Sequence, residues 1–150
     1  MADRDGSPDT ETATTCWSVS IDIHNLGTFI SCDGLGMEVV LEQREEGGNN
    51  GFVWQIPTRV KFSNIKLSRP VGADTPKIMN WLAGMALQVT PQNATISALT
   101  AKGTPVATWN LMEVVPVRWT GPSFSADSPK VATETIELAH HGFTKGAPAT

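Results

Sequence analysis

Between Trp17 and His24 every second residue is apolar: Trp17, Val19, Ile21 and Ile23 fall on one side, and Ser18, Ser20, Asp22 and His24 on the other. That period requires an extended chain with one covered face, because successive side chains of a strand point to opposite sides of a sheet. The pattern returns along the chain. Met37, Val39 and Leu41 alternate with Glu38, Val40 and Glu42, and Phe52, Trp54 and Ile56 make a further apolar face. The chain is therefore read as mainly β.

Punctuation sets the expected connections. Asn25, Leu26 and Gly27 suit a tight hairpin turn, followed by a longer strand over residues 28–41 with a bulge or bend at Asp33-Gly34-Leu35-Gly36. After Pro57, the apolar positions Val60, Phe62, Ile65 and Leu67 slip by one residue near Ser63-Asn64, which predicts a bulge there. From Asp74 the period changes. Ile78, Trp81, Leu82 and Met85 recur at helical spacing, with Asp74 or Thr75 as N-cap and Pro76 in the first turn. Strands are expected again over residues 94–99, 106–119 and 130–140, with a turn at Lys102-Gly103. The long one carries Ala107, Trp109, Leu111, Val115, Val117 and Trp119 on one face, and Pro116 inside it must lie at an edge or bulge. Residues 120–129 read as a loop, and residues 142–150 trail off. No internal repeat or heptad is present.

A chain of 150 residues and 16.1 kDa fits one domain. Its formal charge is -4, but four of the 15 acidic residues and one of the 11 basic ones lie in the first eleven positions, so the rest is close to neutral. That balance argues against a broad nucleic-acid-binding surface and sequence-specific nucleic-acid binding. Charged residues make up 17% of the chain, against roughly 25% in ordinary soluble domains. A sparsely charged surface suits self-association. Residues 1–15 hold too few apolar groups to order themselves and are read as a flexible acidic tail, residues 16–143 as the β domain, and residues 144–150 as a C-terminal tail. No secretory signal and no bilayer-length apolar run is seen, so synthesis in the cytoplasm without membrane insertion is expected. Two cysteines are consistent with a reducing compartment.

His24, His140, His141, Cys16 and Cys32 are the available soft or imidazole ligands, and none has metal-site spacing. The histidines read as surface residues; His140 and His141, being adjacent, face opposite ways. A first hairpin turning at Asn25-Leu26 would set Cys16 opposite Leu35 and Cys32 opposite Val19, so no disulfide is expected and each reads as a small buried residue. Glu45-Glu46 lie in a loop, while Glu134 and Glu137 fall on opposite strand faces and read as solvated. Gly47-Gly48 and Gly34-x-Gly36 lack the lysine and helix of a phosphate loop. Trp17, Trp54, Trp81, Trp109 and Trp119 each sit on an apolar face, and a tryptophan-rich core or subunit interface is preferred to a stacking platform. No catalytic, metal or cofactor residue emerges, so the chain is expected not to be an enzyme and to carry no cofactor.

Several stretches in order, WSVSIDIHNLGTFISCDGLGMEV, EQREEGGNNGFVWQIPTRVKFSNIKLSR, IMNWLAGM and ATISALTAKGTPVATWNLMEVVPVRWTGPSFSADSPKVATETIELAHHGF, resemble the tail tube proteins of contractile phages and related contractile injection systems. The motif positions carrying the resemblance are Trp109, Pro116, Trp119, Gly121, Pro122, Glu134, Glu137, Leu138 and His140, in structural roles. The resemblance implies a mainly β, antiparallel fold, two sheets curled into a barrel-like sandwich with one short helix alongside. It implies hexameric rings stacked into a hollow, rigid tube within a sheath, conducting DNA or protein cargo when the sheath contracts. Sheath, baseplate and spike, and terminator proteins are the implied partners, with cargo in the lumen, and a virion tail or a released injection particle is the implied destination. By the same analogy, Gln43, Arg44, Glu45, Glu46, Gly47, Gly48, Asn49 and Asn50 are expected to touch the next ring. A specialised tube-initiator ring at the baseplate and a monomeric β-sandwich ligand-binding module are the alternatives.

Overall fold

The computed structural model describes residues 13–44, 51, 53–123, 126–127 and 131–144. Among these described residues, ten strands and one helix follow one another: β1 (Cys16–Ile21), β2 (His24–Phe29), β3 (Ser31–Asp33), β4 (Met37–Arg44), β5 (Trp54–Phe62), β6 (Ile65–Pro70), α1 (Thr75–Leu87), β7 (Gln92–Leu99), β8 (Pro105–Thr120), β9 (Thr133–Ala139) and β10 (Phe143–Thr144). Eight of the strands form one antiparallel sheet of order β2-β1-β7-β8-β9-β6-β3, with β10 on β8.

Two strand paths bend this sheet into a barrel-like sandwich. β8 pairs with β7 as far as Val114 and with β9 from Val115, and in the irregular stretch of the β7 pairing just before this change of partner Glu113 takes a φ of 51°. The β8–β9 register shifts between Pro116 and Arg118, so the proline that cannot donate to a ladder falls at a bulge, as expected. On the opposite corner, β2 lies on β1 and β3 on β6, with the chain bent at Ile30, whose N–H donates to the Ser68 carbonyl at 3.0 Å. The enclosed core includes Val19, Ile21, Leu26, Phe29, Ile65, Leu67, Ile96, Leu111, Ile136 and Leu138, all without solvent exposure. The helix closes it with Ile78, Trp81 and Met85, the positions its period predicted. Asp74 is the N-cap residue but makes no side-chain cap; its carboxylate pairs with Lys77 Nζ at 3.0 Å instead.

The first hairpin turns earlier than expected. Its tip is Asp22-Ile23, with Asp22 at a φ of 52° and Ile23 86% exposed, and Asn25, Leu26 and Gly27 belong to β2. Leu26 decides this, because a leucine held in the core is worth about 1.5–3 kcal/mol over one at a turn tip. The turn chemistry of Asn25 serves a bulge between Val19 and Ser20, where its Oδ1 accepts from Gly27 N–H at 2.9 Å. The expected strand over residues 28–41 is divided among β2, β3 and β4. These shifts move the cysteines: Cys16 stands opposite Leu99 and Cys32 opposite Leu67, both free and half-buried. Residues 143–144 do not trail off but pair with β8. The strand expected over residues 130–140 is β9, which begins at Thr133; Lys130 lies outside the described residues, as do residues 1–12 and Phe52.

Candidate functional site

β4 and β5 form a sheet of their own, pairing only with each other among the described residues. This hairpin leaves the barrel at a tight root. Gly34 holds a φ of 94°, and a Cβ there would lie 2.0 Å from the Asn64 carbonyl oxygen, so only glycine permits the two chain segments to meet. Ser63-Asn64, expected to be a bulge, is instead the break between β5 and β6. The bulge lies within the hairpin, between Val40 and Leu41, opposite which Thr58 is the additional residue. Its consequence is a change of face. Met37, Val39 and Leu41 share a side with Val60 and Phe62, whereas Ile56 and Trp54 stand opposite Glu42 and Arg44. Met37, Val39, Leu41, Trp54, Ile56 and Val60 are all exposed, Trp54 by 50%. Of the expected ring-contact residues, Gln43 and Arg44 close β4 and are exposed, while residues 45–50 lie outside the described residues.

At the hairpin root, Phe62 packs against His140 (ring centroids 5.4 Å apart) and Phe143 (5.8 Å). His140 is buried, not the surface residue its neighbour His141 is. Gly142 N–H donates to His140 Nδ1 at 3.2 Å, which assigns the ring proton to Nε2, and that atom finds no partner among the described residues. Burial holds this imidazole below its ordinary pKa, against the backbone of Gly142 and Ser63, with His141 adding to the depression.

Glu134 corrects the sequence reading more sharply. It is fully buried, directly opposite Arg69, whose Nε donates to Glu134 Oε1 at 2.7 Å. The same guanidinium donates to the carbonyls of Leu26 and of Asp74 and lies 4.4 Å from the Phe29 ring centroid, while Thr75 Oγ1 donates to Glu134 Oε1 at 3.2 Å. One ion pair thus ties β2, β6, β9 and the start of α1 together. Strand parity was the signal: Glu134, Ile136, Leu138 and His140 share one face, as do Ile65, Leu67 and Arg69. Glu137, on the other face, is half-buried and accepts from Asn64 Nδ2 at 3.2 Å.

The remaining motif positions support the corner of β8. Trp109 and Trp119 pack partly buried against the core, Pro116 and Pro122 are half-buried, and a Cβ on Gly121 would lie 2.8 Å from the Trp119 ring. The Trp119 indole N–H finds no partner among the described residues. Trp81 is the fully enclosed tryptophan, its Nε1 donating to Gln92 Oε1 at 3.0 Å. Among the described residues no cluster of three or more His, Cys, Asp or Glu could hold a metal ion, and no helix is long and apolar enough to cross a membrane.

A curled antiparallel barrel with a flanking helix and an exposed apolar hairpin is the architecture of a structural building block. The chain belongs to the T4-like virus tail tube protein gp19 family, whose model matches residues 13–144, and it is a structural tube subunit. Its fold is similar to a chain in the extended sheath-tube complex of the PVC extracellular contractile injection system (25% identity, TM-score 0.73, covering 92% of this chain and 96% of that one). It is similar to one in the sheath/tube terminator of the same system (27% identity, TM-score 0.69, 85% and 91%) and to one in the tube-terminating cap of the anti-feeding prophage (25% identity, TM-score 0.70, 96% and 93%). No curated protein matches the chain at a significant level.

Proposed function

We propose that six copies close into a ring and that rings stack into the hollow inner tube of a contractile tail or injection machine, surrounded by a sheath and carrying cargo through its lumen. The observation that carries this reading is the β4–β5 hairpin. Five large apolar side chains, Met37, Val39, Leu41, Ile56 and Val60, are exposed on a two-stranded element that, among the described residues, pairs only with itself, and this makes a poor surface for an isolated domain. A second copy gives them cover, and repetition of one contact around a closed ring satisfies every copy equally. The similar chains belong to assemblies named for tube, sheath, terminator and cap, which supports the same set of partners here. Mechanism is then mechanical: a stiff barrel transmits thrust, and no residue needs to react.

Residues 43–50 are assigned to the contact with the next ring, because their composition gives them little reason to pack on their own domain. Deleting residues 45–49 is expected to leave a folded, ring-forming subunit that no longer stacks; long tubes of the deletion variant in electron micrographs would refute the assignment. The similarity to terminator and cap assemblies favours one second reading, a specialised ring at a tube end. Copy number per particle separates the two, since an end ring occurs once and a tube ring many times.

A further inference from the structure

Phe62 is the one residue of β5 that is not exposed to solvent, and it is where the hairpin meets the barrel. It meets a corner made by residues 140–143. There His140 is buried, its ring centroid 5.2 Å from that of Phe143 and 5.4 Å from that of Phe62. Gly142 N–H donates to His140 Nδ1, and Gly142 takes a φ of 129° so close to Phe62 that a Cβ there would lie 3.1 Å from the phenyl ring. The same turn is bonded to β8, the Met112 N–H donating to the Gly142 carbonyl and the His141 N–H to the Met112 carbonyl, each at 2.9 Å. Imidazole, turn and hairpin root therefore make one contact. A shift of the turn must move Phe62.

That contact needs a neutral imidazole. Nδ1 accepts from Gly142 only while it keeps a free lone pair, and an imidazolium carries an N–H at both nitrogens. Protonation sets two donors against each other and places a charge beside two phenyl rings, where burial already resists it. Among the described residues the His140 ring has no ion-pair partner to hold that charge. The charged groups on the surrounding elements are engaged elsewhere: Glu113 of β8 lies 2.7 Å from His141 Nδ1, Glu137 of β9 faces the other way and accepts from Asn64, Lys66 of β6 stands opposite Glu137, and Lys61 of β5 stands opposite Glu38 of β4. His141, next in the chain, repels a proton on His140. We propose that His140 is an acid-released catch: neutral, it holds the β4–β5 hairpin to the barrel, and protonated, it lets the 140–143 corner part from Phe62, so that the hairpin comes free while the barrel stays folded. The catch belongs to the single subunit and does not rest on the tube reading.

Hydrogen exchange of the full chain, read by mass spectrometry at pH 7.5 and 5.5 and corrected for the intrinsic pH dependence of amide exchange, tests this. A two-stranded hairpin detached from its support is marginal in water, so its ladder loses protection together with the corner. Segments 37–44, 54–62 and 140–144 are expected to exchange about tenfold faster at pH 5.5, since an opening that takes up one proton gains up to a factor of about ten per pH unit, while β7 keeps its protection. His140→Asn, which keeps an acceptor near Nδ1, and His140→Phe, which keeps a ring, are each expected to abolish the acid step, and His141→Gln to retain it. Equal protection of the parent hairpin at both pH values overturns the proposal, as does an acid step that persists in a folded His140→Asn or His140→Phe. Loosening shared equally by β7 also overturns it, because that is global unfolding and not release of the hairpin. This comparison within the parent chain needs no variant to fold.

Discussion

Arg69 and Glu134 show how a single pair can fix the meeting point of four elements. Both are buried, so removing one leaves the other as an uncompensated charge in the core, at a cost of about 3–5 kcal/mol. Glu134→Ala is expected to lower stability by that amount in chemical denaturation, and the double variant Arg69→Met/Glu134→Leu to recover much of it. A Glu134→Ala protein as stable as the parent would show that the pair contributes little. His140 makes a pH prediction. Its pKa is depressed in the fold, so near pH 7.5 the imidazole is neutral folded or unfolded, and its contribution is fully present. As pH falls below the ordinary value of about 6.5, the unfolded chain takes up a proton that the folded one resists, and stability declines toward the folded pKa. Denaturation midpoints between pH 7.5 and 5 should fall more steeply for the parent than for His140→Phe; parallel curves would remove His140 as the cause. Glu134 and His140 are read from the sequence as solvated and as a surface residue, although they share a strand face with the buried Ile136 and Leu138. What the sequence did not supply was the partner, because Arg69 and Glu134 lie 65 positions apart and meet only through the β6–β9 register.

At the scale of elements, the helix and the period-2 strands were legible because each rests on local side-chain spacing, and Ile78, Trp81 and Met85 face the core as that spacing requires. The first turn was misplaced because Asn-Leu-Gly chemistry competes with burial of Leu26, and burial prevailed. The hairpin bulge at Thr58 was equally hidden, since apolar positions 54, 56, 60 and 62 keep one parity in the sequence while the added residue turns the first two to the other face. This gives the hairpin two apolar faces in place of one. Val39→Glu or Val60→Glu, on an exposed face, is expected to change folding stability by less than about 0.5 kcal/mol and to block assembly. Denaturation and sedimentation on the same samples check both halves; normal assembly of either variant would take that face out of the interface.

The whole molecule is a sparsely charged barrel, with 17% charged residues, that carries an exposed apolar hairpin. Low charge, exposed apolar hairpin faces and membership of the tail tube family point the same way. Electron microscopy of the purified full chain at high concentration tests this most directly. The account predicts sixfold rings with an open centre, stacking into tubes of constant width. A monodisperse monomer at every concentration, with neither rings nor tubes, would contradict it.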